Sequence, residues 1–278
     1  VSLDRGWFSS VGHFRLKAEG AAFGEQFKDS ELLFVDRIEH GPLPVSRLVT
    51  LKWWPVLATS HLALEKNPTT EKWFAATKDV SPVKGVANIG FNRSVNGNLE
   101  LLPLEYKDAT TSVNFSGLKL DYFNTAKGEE IKVNGYMDAL KLDLAGPDGA
   151  PFQAQLNGLT VASNLSKSSF GFYVGQNTIE LSSTQFTFGP QQAVLTVKGF
   201  EQKDSSQTKD NNLGGRVDYT IAEIGYQGKP VGSAAMAVSM KNIDVPAAMV
   251  LTKLYQDKMQ PVQAAQAAGQ PIPELQLS

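Results

Sequence analysis

Four short stretches of the chain repeat one hydropathy pattern: VNFSGL at 113–118, IKVNGY at 131–136, AQLNGL at 154–159 and LTVKGF at 195–200. Each runs apolar, polar, apolar, polar, glycine, large apolar. Side chains alternate between the two faces of a strand, so Val113, Phe115 and Gly117 share one face. Leu118 and Leu120 then carry the apolar pattern on the opposite parity. The same change follows Gly158, where Leu156 gives way to Leu159 and Val161, and Gly199, where Val197 gives way to Phe200. Around Gly135 it is delayed: Ile131 and Val133 are answered only at Leu140, Leu142 and Leu144.

Two physical readings fit. In one, each strand bends at its glycine, and an extra, bulge-like residue restores the facing, so one apolar face survives the bend. In the other, the glycine closes one strand in a tight corner and a new strand begins. The first predicts a mainly β fold with a strongly curved antiparallel sheet: a trough, taco or partial barrel. Its apolar face would carry Phe115, Leu118, Val133, Leu156, Leu159, Val197 and Phe200.

The flanking sequence supplies the remaining elements. Residues 13–18 and 31–41 alternate as strands, and GPLP at 41–44 is a rigid turn, since each proline fixes φ and removes a donor. Residues 45–65 fit two patterns: Leu48, Leu51 and Trp54 match a helical face, while ATSHLALE alternates. A short helix is predicted near 68–78, with Asn67 able to cap, Pro68 in the tolerant first turn and Glu71 near the positive end. From 83 to 243 the chain reads as an antiparallel meander, because turn signals recur with no helical stretch between them. KDSSQTKDNNLGG at 203–215 is the longest loop candidate. Asp244 is placed to cap an amphipathic helix over 245–259, expected to dock on the sheet through Val250, Leu251 and Leu254, with Pro261 interrupting the run. The chain thus divides into 1–82, packed as part of one unit, the meander at 83–243, and a helix and tail at 244–278.

Composition narrows the function. With 42% hydrophobic and 19% charged residues the chain is suited to fold. A net charge of −2 and the absence of any Lys/Arg run argue against a nucleic-acid partner. Having no cysteine excludes disulfides, thiolate catalysis and cysteine-ligated metals. His13, His40 and His61 lack metal-site spacing, and neither a GxSxG elbow nor a phosphate loop occurs. The paired acids Glu129 and Glu130 sit in a turn rather than flanking a cleft. No catalytic residue, metal or cofactor is therefore expected. Trp7, Phe8, Trp53, Trp54, Trp73 and Phe74 crowd the first quarter; core packing is the default expectation, an aromatic-lined binding face the alternative. No run of about 18 apolar residues is present to span a bilayer.

Arg5-Gly6-Trp7-Phe8-Ser9-Ser10 followed by His40-Gly41-Pro42-Leu43-Pro44, in that order and separation, resembles the opening of the YdgA-like family, bacterial envelope proteins built on a domain of unknown function. The resemblance implies a periplasmic body, an inner-membrane anchor or signal segment before Val1, and a chain that is the N-terminal portion of a longer one. It brings no catalytic residues. The expectation is a non-enzymatic, membrane-tethered periplasmic protein that binds a lipid or other hydrophobic ligand on its apolar sheet face. The alternative is a structural or interaction module whose core is fully packed. The apolar-faced strands outnumber what one amphipathic helix could cover, so the remainder must meet a second sheet, another chain such as a homo-oligomer partner, or a ligand.

Overall fold

The computed structural model describes residues 2–17, 31–42, 44–49, 54–145 and 150–267. The alternating segments form one open antiparallel sheet of fifteen strands. Its first part is short-stranded: β1 (Ser2–Arg5), β2 (Ser9–Lys17), β3 (Glu31–His40), β4 (Ala58–Leu64), β5 (Val83–Ile89) and β6 (Val95–Leu101), each paired with the next. The two patterns in residues 45–65 are satisfied in turn, by helix α1 (Val45–Val49) and then by β4. Helix α2 (Glu71–Ala76) forms within the expected segment but starts later, with Thr70 and not Asn67 at its N-cap and no side-chain cap bond. Asn67 instead closes the turn before the helix: its Oδ1 accepts the Thr70 N–H at 2.9 Å, and Thr70 Oγ1 accepts the Asn67 N–H at 2.9 Å. Phe74 of α2 packs with Leu64 and Val83, and Leu32, Phe34, Leu99 and Leu101 close around them. This is the main buried apolar cluster.

Next come β7 (Leu104–Lys107), β8 (Thr111–Phe115), β9 (Leu118–Asn124) and β10 (Glu130–Ala145). Leu101 pairs with Leu118 and Leu104 with Phe115, the same register on both sides of a break. Thus β6 and β7 are two halves of one bent strand, and β8 and β9 are halves of its neighbour. β10 accepts both halves, pairing Tyr136 with Lys119 and Leu140 with Phe115. Long strands complete the sheet: β11 (Pro151–Lys167), β12 (Tyr173–Phe188), β13 (Ala193–Lys209), β14 (Asn212–Tyr226) and β15 (Lys229–Asp244).

The glycine repeat marks a line across these strands. Ladder pairing is interrupted once per strand, leaving Asp138 opposite Gly158, Gly158 opposite Ser182, Ser182 opposite Gly199 and Gly199 opposite Ala222. The register of β8 on β10 brings Gly117 to the same line, opposite Asp138. Gly117, Gly158 and Gly199 have φ of +96°, +65° and +61°, the region from which a Cβ is sterically disfavoured. They occupy alternate strands and face small or polar residues. A Cβ on Gly158 would lie 2.4 Å from Ser182 Oγ, and one on Gly199 would lie 2.8 Å from the Ala222 Cβ.

Because neighbouring strands change parity on one common line, no register slip occurs from β10 to β14, and no extra bulge residue is needed. Register shifts appear only between β14 and β15. Gly135 is not part of the line. It pairs normally with Leu120 and Val161, and the parity of β10 changes at Asp138 instead, which accounts for the delay in that repeat.

Three expectations are corrected. Residues 203–215 are not a loop but the ends of β13 and β14, joined by a tight turn whose Asp210 and Asn211 have φ of +49° and +65°. Pairing to long neighbours carries these polar residues as strand. Helix α3 (Val245–Ala267) does start at Asp244, whose Oδ1 accepts the Ala247 N–H at 2.7 Å, and it runs through Pro261. It does not dock through the three expected residues: Val250 is 70%, Leu251 67% and Leu254 53% exposed, while Val245 at its start is buried. Its packing is chiefly against β15. Finally, Trp7, Phe8 and Trp54 are strongly exposed and only Phe74 of the aromatic group is buried; Trp53 lies outside the described residues.

The line makes a stability prediction. Gly158→Ala should lose more stability in urea unfolding than Gly189→Ala, since Gly189 has a φ of +76° but open space where its Cβ would stand. The second variant isolates the backbone cost, about 1–2 kcal/mol. Equal losses would show that Gly158 and Ser182 are not in close contact.

Candidate functional site

The parity change places two apolar rows on the same side of the sheet, one on each side of the line. Phe115, Leu140, Leu156, Thr184, Val197 and Ile224 are successive cross-strand partners in one row. Met137, Leu159, Leu181, Phe200 and Ile221 form the other. Met137 and Thr184 are buried and their row neighbours half-buried, whereas Lys141, Gln155, Gln185 and Lys198 on the opposite face are exposed. On the line itself Asp138, Ser182, Gly199 and Ala222 are also exposed, so the fold edge faces water and the apolar rows face each other across it.

The predicted face residues can now be placed. Phe115, Leu156 and Val197 lie in the first row. Leu159 and Phe200 lie in the second, and Leu118, at the start of β9, continues it toward β6. Val133 is two rows farther out, where the trough turns polar: its row continues to Ser163, Asn177 and Asp204. Ser163 Oγ donates to Asn177 Oδ1, and Asn177 Nδ2 donates to Asp204 Oδ2 at 2.7 Å. Met137, Leu181, Ile221 and Ile224 also belong to the apolar rows, as does Leu140, which the delayed pattern after Gly135 had already pointed to. Extending the parity rule from each glycine to the neighbouring strands would have found the other four.

Among the described residues no second sheet stacks on this face, and packing between elements runs almost wholly between adjacent strands. At β5–β10, α2 closes over part of the sheet and leaves an apolar cavity of about 540 Å³ lined by Trp73, Val83, Leu104, Tyr106, Phe115 and Leu140, among others. Asp108 stands at its edge. The Tyr106 hydroxyl donates to its Oδ2 at 2.6 Å, and the Thr110 and Thr111 amides donate to its Oδ1 at 2.9 and 2.8 Å. These donors, Tyr106 first, lower its pKa to about 2.

A second polar group lies near α1. Ser46 donates from its hydroxyl to Glu39 Oε2 at 2.6 Å and from its amide at 3.2 Å, while His61 Nε2 is 3.3 Å from Ser46 Oγ. The carboxylate sits on the serine rather than on the histidine, so the hydroxyl proton points at Glu39 and not at a histidine base. Burial raises the Glu39 pKa, but the Ser46 hydrogen bonds, with His61 and Arg37 nearby, outweigh it and hold the carboxyl below its ordinary value. Among the described residues no cluster of three His, Asp or Glu could hold a metal ion, and no helix is long and apolar enough to cross a membrane.

A group with a depressed folded pKa contributes stability above its unfolded pKa and loses it as pH falls through the folded one. Glu39→Gln should therefore lower stability near neutral pH and flatten the decline below about pH 4.5, the ordinary carboxyl value. Urea midpoints measured on both sides of that value test this. An unchanged acid limb would mean that the Ser46 contact is not holding the charge.

The chain matches the family described as "Bacterial protein of unknown function (DUF945)" over residues 1–276. It is 23% identical to protein YdgA of Escherichia coli K12 over 242 residues, covering 86% of this chain and 48% of YdgA. It is 30% identical over 106 residues to the uncharacterized protein YihF of the same organism, covering 38% of this chain and 22% of YihF. An uncharacterized Haemophilus influenzae protein is 39% identical over 103 residues, 34% of this chain and 28% of its own length. The chain thus spans about half of YdgA and less of the other two. No solved structure matches it.

Proposed function

The chain belongs to the DUF945 family of bacterial proteins, and from that premise we propose that it is a non-enzymatic periplasmic protein, tethered to the inner membrane, that holds a lipid acyl chain or other hydrophobic ligand in its creased apolar trough. One observation carries the reading: two apolar rows run side by side across five strands with no second layer over them among the described residues. Water against such rows is unfavourable, and each methylene moved from water onto them contributes about 0.8 kcal/mol. A flexible acyl chain suits a long, narrow surface better than a rigid solute does. The tether and the compartment rest on the likeness of residues 5–10 and 40–44 to the YdgA-like envelope proteins, and the anchoring segment would lie outside the described residues.

The interaction-module reading draws on a different observation. The edge strand β15 is exposed along nearly its whole length, and from Val231 to Met240 it carries neither charge nor proline. Natural sheets shield such edges, as β1 does at the other end with four residues that include Asp4 and Arg5. An added strand would satisfy the free ladder groups of β15 and cover Met236, Val238 and Met240.

Native mass spectrometry of the purified chain, with lipid extraction, separates the readings. The ligand reading expects copurified lipid that is lost in Phe200→Asp while the fold persists. A lipid-free wild type, together with a large loss of stability in Phe200→Asp (roughly 3 kcal/mol or more), would mean a packed core instead. The tether is tested by fractionating the full-length protein, which should follow the inner membrane; recovery with a cytosolic marker would reject it.

A further inference from the structure

The cavity beneath α2 differs from the rest of the trough in having a helix over it and one cation among its lining residues. Val83, which packs with Phe74 and Leu64, forms part of its wall, and its lining is almost wholly apolar. Lys72 and Asp108 are the two charged residues that line it. Their circumstances are unlike. Asp108 is occupied by the Tyr106 hydroxyl and by the Thr110 and Thr111 amides. Lys72 forms no ion pair among the described residues; its ammonium stands 5.8 Å from the Tyr106 ring centre. An apolar cavity with a positive charge in no ion pair on its lining complements a molecule with one apolar tail and one negative head.

We infer that this cavity takes the end of a single acyl chain bearing an anionic head, with Lys72 contacting the head and Trp73, Leu104, Phe115 and Leu140 enclosing the tail. The inference rests on the hydrophobic-ligand reading above and narrows it to one place and one charge. A volume of about 540 Å³ lies within the usual range for small-molecule sites. The head is the carboxylate of a free fatty acid, the group that a stearate analogue presents to Lys72. Beyond the cavity, the apolar rows of β10–β14 lead away along the crease, so a longer tail would continue over Leu156 and Leu159 rather than meet a wall.

Trp73 in the lining supplies the readout. Dibromostearate, kept below its micelle concentration, should quench the fluorescence of the purified chain, and the quench should largely vanish in Trp73→Phe. Lys72→Met should weaken dibromostearate binding at least fivefold and leave its uncharged methyl ester unaffected. Leu140→Trp, which fills the cavity, should block both ligands while circular dichroism shows the fold intact. A full quench in Trp73→Phe would place the ligand elsewhere and overturn the inference. Equal loss of acid and ester in Lys72→Met would reject Lys72 as the head contact. Copurified lipid without any Trp73 quench would reject this cavity and leave the trough reading standing; no lipid and no quench would reject both.

Discussion

The structure depends on a backbone conformation held at regular intervals along one line. In alternate strands a glycine turns to positive φ, and the strand between presents Asp138, Ser182 or Ala222 to it. A single such residue would throw every later side chain of its strand to the wrong face. Placed on neighbouring strands at the same height, the changes are mutually consistent. The ladder keeps its register, the sheet folds along the line, and the apolar side chains stay together. Close contact explains the residue types, since a Cβ on Gly158 would be driven into the Ser182 side chain and one on Gly199 into that of Ala222.

Packing follows from that crease. In the short-stranded region the buried residues Leu64 and Val83 gather around Phe74 of α2, where a helix supplies a second layer. Among the described residues the long strands have no such layer. Met137 and Ala154 become buried there because neighbouring rows close on them, while most of the face is only half-buried. Toward β15 even that shelter ends, and Met236, Val238 and Met240 are exposed. Cover is therefore least at the β15 edge. A hydrophobic ligand or an added strand would each complete the apolar surface, the one beneath α2 and along the crease, the other at that edge.

Much of this was legible in the chain. The repeats at Gly117, Gly158 and Gly199 state the parity change directly, and the turn signals between them give the meander. Gly135 misled because it matches the pattern by sequence but sits in an ordinary pair; the true break in its strand is Asp138, which has no distinguishing composition. Residues 203–215 misled for a related reason. Their polarity suggests a loop, yet hydrogen bonding to long neighbours on both sides makes strand the satisfied state. The helical spacing of Val250, Leu251 and Leu254 correctly gives a helix but not its direction, which depends on where β15 ends. The Asp244 cap was readable because it acts within three residues, whereas Asn67 closes the turn ahead of α2 and leaves the N-cap position to Thr70. The cavity beneath α2 was not, since its walls come from residues 72 to 140 and meet only in the fold.

The absence of cysteine permits a direct test of the crease. Single cysteines placed in turn from Leu195 to Gln202 on β13 can be assayed for reaction with a charged thiol reagent. The account predicts slow reaction at 195, 197, 200 and 202 and fast reaction at 196, 198 and 201, so the alternation changes phase at Gly199. An alternation that runs unbroken through 199, with 195, 197 and 201 alike, would contradict it.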